Sequence, residues 1–303
     1  MVTGVRIVVT LEQLRIFVAV AERQHVTQAA AALHLTQSAV SSAVRALEDG
    51  FQLKLFDRIG RGIVLTEAGR LFLDEARAVL ARAEVATLRL GDLGGLVRGT
   101  LRVHASQTIA SYWLPRHLVA FRRAHPPVAI ALSVGNTADV ARAVRDGDSE
   151  VGLVEGGIDQ PGLREEQVAR DQLVVVVGRD HPWATLARIA QADLTDTDWV
   201  MREPGSGTRS EFEAALTGMG VAPASLRVAL ELPSNEAVRA AAEAGDYAAV
   251  MSASVAAPSL EAGLLHRVAF PLPTRAFRVV LHAQRTPSRS AAAFVAMMMA
   301  FRR

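Results

Sequence analysis

The chain has 303 residues, half of them hydrophobic, and a net charge of +2. That length fits two or three domains. No uncharged apolar run reaches the roughly 18 residues of a membrane span, and the absence of cysteine excludes disulfides, thiolate metal sites and a cysteine nucleophile.

The start, MVTGVRIVVT, lacks the length and the small-residue cleavage site of a signal peptide and reads as a ragged extension, so a cytoplasmic location is expected. The basic residues are almost all arginine, Lys54 being the single lysine, and residues 1–70 hold eight Lys/Arg against six Asp/Glu. Nucleic-acid binding would therefore rest on local placement of charge.

Thr10 with Gln13 three residues on forms a capping box, and Leu14, Phe17, Val18 and Ala21 give the helix that follows one apolar face. Thr27 is a predicted N-cap for a second, alanine-rich helix, and Thr36 for a third running from about Gln37 to Asp49. In that third helix Ala39, Val40, Ala43, Val44 and Leu47 recur at helical spacing, while Gln37, Ser38, Ser41, Ser42 and Arg45 lie opposite. Short hydrogen-bonding groups and one cation suit the floor of a DNA major groove. A small helical hairpin with a plain polar face is the alternative. The turn Asp57–Gly62, carrying Arg58 and Arg61, and the strand-like Ile63–Leu65 make the whole a winged helix-turn-helix, the arginines reaching phosphate or the minor groove.

Thr66 then caps a helix with periodicity to about Leu90, whose residues Leu71, Phe72, Val79, Ala83, Ala86 and Leu90 offer a seam for a second copy. The glycines of residues 91–95 form a hinge. Beyond Gly99, strand-like runs at 101–105, 128–134, 151–154, 173–178, 199–201, 228–232, 248–251 and 277–282 alternate with helical stretches such as 111–125, 138–146 and 288–301. This predicts an α/β fold with a mostly parallel sheet in two linked lobes.

Ligands of such sheets sit beyond the carboxyl ends of strands, at helix N-termini. The residues there are Ser106, Gln107 and Thr108; Gly135, Asn136 and Thr137; Glu155; the run Glu203–Pro204–Gly205–Ser206–Gly207–Thr208–Arg209; and Ser234 and Asn235. Any one of these loops could be a simple N-cap. The glycines and hydroxyls of the 204–209 run, with Arg209 beside them, form a candidate small-anion cradle. Glu155 and Glu203 could pair across a cleft or close the lobes. The eight histidines lack metal-ligand spacing, and His181–Pro182–Trp183 reads as a surface turn. No metal, cofactor or enzymatic activity is expected.

The residues Thr27–Gln28–Ala29–Ala30, Leu33–His34–Leu35–Thr36–Gln37–Ser38–Ala39–Val40–Ser41, Leu47–Glu48, Leu55–Phe56–Asp57–Arg58 and Leu65–Thr66–Glu67–Ala68–Gly69 closely resemble the DNA-binding half of LysR-type transcriptional regulators. The resemblance implies a winged helix-turn-helix over 1–65, a dimerisation helix and hinge over 66–95, and a periplasmic-binding-protein-like effector domain over 96–303. Its lobe I is expected at about 99–169 and 270–303 and its lobe II at about 170–269. It further implies a homodimer or homotetramer on a promoter dyad in double-stranded DNA, a small effector between the lobes that alters DNA bending, and RNA polymerase as a further candidate partner. By motif position Gln37, Ser38, Ser41 and Ser42 face bases or phosphates, Thr27, Thr36 and Arg45 support them, and Arg58 and Arg61 lie on the wing.

There are two departures: Ser42 stands where many members carry arginine, and Gln52 where glycine usually ends the recognition helix. The segments 106–115 and 202–209 resemble the members tied to sulfur assimilation or carbon fixation, which implies an anion or a carboxylate or phosphorylated metabolite as effector. Two other readings remain: a solute-binding protein whose N-terminal helices serve only assembly, and a hydrolase or transferase using Ser206.

Overall fold

The computed structural model describes residues 9–59, 62–92, 99–158 and 160–300, the side chains of 58, 59 and 84–92 excepted. The chain forms a helical N-terminal unit and an α/β C-terminal unit.

In the N-terminal unit, helix α1 (Leu11–Arg23) starts at the expected capping box: Thr10 Oγ1 accepts from Gln13 N, and Gln13 Oε1 accepts from Thr10 N. Its buried face carries Phe17, which packs against Phe56 and Phe72 at ring separations of 5.3 and 4.8 Å. Helix α2 (Val26–Ala32) has His25 at its N-cap, with no side-chain cap bond. Thr27 is therefore the second residue of the helix, not its cap, because Ala29 N already donates to His25 O. His34 turns the chain in the left-handed region, φ 55°. Thr36 then caps helix α3 (Gln37–Phe51) by accepting from Ala39 N at 3.2 Å.

Helix α3 buries Val40 and Leu47 and half-buries Ala43 and Val44, whereas Ala39 is exposed and drops out of the expected stripe. Gln52 ends the helix with φ 54°, so the chain takes the usual left-handed exit despite lacking glycine there, and Gly50 stays inside the helix. Glu48 ties the helix to the entry into the wing, its carboxylate accepting from Leu55 N at 2.8 Å and Phe56 N at 3.3 Å. Strands β1 (Phe56–Ile59) and β2 (Gly62–Leu65) form the antiparallel wing. Helix α4 (Glu67–Asp92) comes next, and Thr66 Oγ1 accepts from Gly69 N at its start. On α4, Leu71 and Val79 are exposed. Most of the proposed hinge lies outside the described residues.

The C-terminal unit is built on strands β3 (Gly99–Ser106), β4 (Val128–Gly135), β5 (Val151–Glu155), β6 (Leu163–Gly178), β7 (Asp198–Arg202), β8 (Arg227–Leu232), β9 (Ala248–Ser252), β10 (Leu265–Val268) and β11 (Thr274–His282). They pair in the order β4-β3-β5-β11-β6-β9-β7-β8, with β10 added to β6. Each half has a parallel group, β4-β3-β5 and β9-β7-β8. The expected mostly parallel sheet is in fact mixed. The crossing strands β6 and β11 run antiparallel to each other and to β5, β9 and β10. The 16-residue β6 starts ten residues before its apolar run; its first ten residues, LREEQVARDQ, are mostly polar, with Val168 alone fully in the core, and so hide the strand.

The helices are α5 (Leu114–Ala124), preceded by a π turn at Ile109–Trp113, then α6 (Thr137–Asp146), α7 (Gly207–Gly218), α8 (Asn235–Ala244), α9 (Ala253–Glu261) and α10 (Arg289–Ala300). One half packs Leu101, Val103, Leu153, Phe121 and Phe294 together; the other packs Trp199, Phe212, Leu216 and Val250. The predicted surface turn at His181 is buried: His181 Nδ1 accepts from Trp183 N, its Nε2 meets Thr197 Oγ1 at 2.8 Å, and both rings are under 10% exposed. Burial pushes the His181 imidazole below its usual range.

The left-handed region costs a non-glycine residue about 1–2 kcal/mol. Gln52→Gly should thus stabilise the N-terminal unit by about 1 kcal/mol, part of the gain being offset by loss of the Gln52 Nε2–Asp49 O bond. Calorimetry of the full chain should show the corresponding transition moving up by a few degrees; a downward move would show that the position carries no strain.

Candidate functional site

Helix α3 presents Gln37, Ser38, Ser42 and Arg45 to solvent, with Ser41 half-buried beside them. Thr36 Oγ1 also meets Ser38 Oγ at 3.0 Å. Arg45 has no ion pair or hydrogen bond among the described residues. The opposite face is fixed by Val40 and Leu47, so the polar face projects from an anchored helix. Thr27 is exposed on α2. The Arg58 side chain and the whole of Arg61 lie outside the described residues. The sequence reading missed Lys54 and Glu48: they form a 3.2 Å ion pair beside Arg45 and the start of the wing. Their signal was the Leu47–Glu48 pair directly before a chain that must turn back.

In the C-terminal unit the ends of β4, β3 and β5 lie side by side, Ser106 being in register with Gly135 and Ala105 with Leu153. Asn136 caps α6 reciprocally, its Oδ1 accepting from Asp139 N while Asp139 Oδ2 accepts from Asn136 N. Thr137 Oγ1 donates to Glu155 Oε2 at 3.3 Å. From the other half, Ser234 caps α8 by accepting from Ala237 N.

Gln107 reaches across with both ends of its amide: Nε2 donates to Pro233 O at 2.8 Å and Oε1 accepts from Asn235 N at 3.1 Å. Asn235 Nδ2 donates to Thr108 Oγ1, and Asn136 Nδ2 to Glu203 Oε1. Ala138 N donates to Gly205 O. Ser106, Thr108, Glu155, Ser206, Thr208 and Asn235 are all at most 3% exposed. The exposed Pro204 makes the turn before Gly205 and Ser206.

Two residues in this cluster carry its positive charge, and neither stood among the expected effector ligands. Arg275 on β11 is 2% exposed; its Nε and Nη2 lie 2.8 and 2.7 Å from Asp171 Oδ2, its Nη1 donates to Thr208 Oγ1, and its Nη2 is 3.9 Å from Glu155 Oε1. Arg202 grips Glu203 with two bonds and donates to Asn235 Oδ1. Burial pushes the Glu203 carboxyl up, but the Arg202 guanidinium and the Asn136 amide outweigh it and hold the group below the usual carboxylate range.

Arg209, expected beside the cradle, is engaged elsewhere: it binds Glu213, Glu231 and Arg202 O. Glu155 and Glu203 have separate partners and do not form a carboxylate pair. Among the described residues no group of His, Asp and Glu is arranged to hold a metal ion, and no helix is long and apolar enough to cross a membrane.

Glu211 on α7 lies over Gly156, where a Cβ would come within 2.2 Å of its Oε1 and φ is +75°. Burial raises the Glu211 carboxyl above its usual range and Glu155 adds to this, against Arg275 and Arg278. A raised folded-state pKa means that the folded chain holds the proton more tightly, so Glu211 erodes stability as pH rises above the ordinary glutamate range. Glu211→Gln should therefore stabilise the chain against urea at pH 7 and make no difference at about pH 4. Equal stability at both pH values would show that this carboxyl is not penalised.

Residues 11–70 match the bacterial regulatory helix-turn-helix protein family of LysR type, and residues 94–302 match the LysR substrate binding domain. The chain is 35% identical over 260 residues to the probable RuBisCO transcriptional regulator of Cyanophora paradoxa, covering 85% of this chain and 80% of that protein. The crystal structure of CbnR, a LysR family transcriptional regulator, superposes with a TM-score of 0.73 at 24% identity, over 97% of this chain and 100% of that one. The regulatory domain of Synechocystis PCC6803 CcmR, solved in complex with 2-PG, gives a TM-score of 0.61 at 28% identity, over 67% of this chain and 97% of that one. This chain belongs to the LysR family of DNA-binding transcriptional regulators and is not an enzyme.

Proposed function

We propose that the chain acts as a homo-oligomer in the cytoplasm, paired through α4, on an imperfect promoter dyad. A small effector held between the two halves of the C-terminal unit alters DNA bending, and RNA polymerase is a further partner. The observation that carries the reading is the exposed Gln37–Ser38–Ser42–Arg45 face of α3, backed by buried Val40 and Leu47. Gln and Ser can bond base edges or phosphates, and the unpaired Arg45 can take a phosphate. By their sequence position Arg58 and Arg61 are proposed to add phosphate or minor-groove contacts, with Thr27 and Thr36 supporting. The exposed Leu71 and Val79 on α4 are the start of an apolar seam for a second copy.

For the effector, the supporting observation is the convergence of Thr108, Thr137, Glu155, Thr208 and Asn235 from both halves at the ends of the strands. Gln107 and Asn136, with Ser206 and Gly207 at the start of α7, complete the wall. The 2-PG complex of the CcmR regulatory domain supports a small-molecule ligand for this domain. An anion, a carboxylate or a phosphorylated metabolite is the class proposed.

Footprinting on the promoter beside the chain's own gene should show a protected dyad at moderate salt; its absence would sink the DNA-binding proposal. Ser41→Ala with Arg45→Ala should weaken promoter binding by about 1–3 kcal/mol and reduce the magnitude of the salt slope by about 1. Effector affinity should not change, and an equal fall in it would count against separate DNA and effector units. Conversely, Thr208→Val should shrink the largest shift found in a thermal screen of small anions while leaving promoter binding in place. An unchanged shift would remove Thr208 from the site.

A further inference from the structure

Three α-helices begin at the cleft, and their N-termini differ. Helix α6 is capped by Asn136 and α8 by Ser234, with Gln107 also engaging Asn235 N. Helix α7 is uncapped. Ser206 stands at its N-cap without a side-chain cap bond, and among the described residues the N–H groups of Gly207, Thr208 and Arg209 donate to nothing. Yet Ser206, Gly207 and Thr208 are buried. A buried helix start with free N–H groups is costly unless a side chain, water or ligand completes it, and its positive end favours an anion.

A second observation is independent of the helix. Ser106 is 2% exposed and its Oγ has no hydrogen-bond partner among the described residues. It sits at the end of β3, in register with Gly135, two residues before the Thr137 whose hydroxyl would lie 2.5 Å from a Cβ on Gly207. An unsatisfied buried hydroxyl costs about 1–3 kcal/mol. One small oxyanion placed between them would satisfy both the helix start and the hydroxyl.

The third feature restricts which oxyanion. A Cβ on Gly207 would also lie 3.0 Å from Glu155 Oε2, so the first residue of α7 rests against the buried Glu155 carboxylate. Among the described residues Glu155 accepts from Thr137 Oγ1 alone, and its other oxygen stands 3.9 Å from Arg275 Nη2. Arg275 is ion-paired with Asp171 and Arg278 with Glu165 at 3.6 Å, although Arg275 Nη2 and Arg278 Nε make no well-formed hydrogen bond among the described residues. A fully deprotonated oxyanion would face the lone pairs of Glu155, and the nearest cations, Arg275 and Arg278, each already carry a carboxylate partner. A ligand cation would satisfy Glu155 but would face the positive end of α7.

We propose that the cleft is built for an oxyanion that keeps a proton: its oxygens accept from the first turn of α7 and from Ser106, and its O–H donates to Glu155. Glu155 is thus the residue that sets specificity, a fixed acceptor that rejects isosteres without a proton. This rests on reading the cleft as the effector site.

Inorganic phosphate and inorganic sulfate test it, being alike in shape, with only phosphate retaining a proton at neutral pH. Calorimetric titration of the full chain at pH 7 should show phosphate binding at least about tenfold more tightly than sulfate, because a buried acceptor without its donor loses on the order of 1–3 kcal/mol. Glu155→Gln, which can donate, should erase or reverse that preference. Equal affinities in the unmodified chain, binding of neither anion, or a folded Glu155→Gln chain with an unchanged ratio would each overturn the proposal; the first and second need no variant. If the two anions bind alike and Thr208→Val weakens both, the effector site stands and only the proton requirement falls. If neither anion binds and the anion screen leaves the Thr208→Val chain indistinguishable from the parent, the cleft reading falls as well.

Discussion

The C-terminal unit depends on one buried ion pair. Arg275 on β11 meets Asp171 on β6, and the same guanidinium reaches Thr208 at the start of α7 and approaches Glu155 at the end of β5. Four elements are fixed by one planar group, which suits arginine's fixed fork of donors better than the single point charge of a lysine. Removing one member of such a pair typically costs about 3–5 kcal/mol, because it leaves an uncompensated buried charge. The crossing strands β6 and β11 carry the pair, so the place where the two halves join is also where the site's charge is set. Asp171 is held in turn by Ser252 Oγ at 2.8 Å, which adds β9 to the same network.

In the N-terminal unit the corresponding constraint is apolar. Phe17 is fully buried against Phe56 and Phe72, so α1, the wing and α4 share one contact. Glu48 sets the angle between the recognition helix and the wing through two backbone N–H groups. The polar face of α3 proposed to read DNA has a rigid support, supplied by packing and a carboxylate latch together.

How much could be read from the sequence depends on how local the signals are. The Thr10–Gln13 capping box, the Thr36 cap and the α3 stripe apart from Ala39 depend on neighbours within a turn, and the chain adopts them. Thr27 misled because a threonine near a helix start is equally at home at its second position. The strand ends that gather the candidate effector residues were legible because most of the hydrophobic runs stop at or next to a hydroxyl, amide or carboxylate. Arg275 and Asp171 were not, since a charged residue in a strand looks exposed until its partner, more than a hundred residues away, is known. Arg209 gave the opposite error: it lies next to the cradle in sequence, but Glu213 and Glu231 take it. The mixed sheet escaped notice because the first ten residues of β6 are mostly polar and carry no period-two signal.

Gln107 joins the two halves as one rung of a strand would, donating to one backbone carbonyl and accepting from one backbone N–H. The links across the cleft at Asn136, Thr108 and Ala138 are polar as well. Each can be exchanged for a bond to water at a net change of only about 0.5–1.5 kcal/mol. The seam is thus held by several individually modest polar links, together with Tyr112, which packs from the first half against the apolar cluster of Val174, Val176 and Val238 in the second.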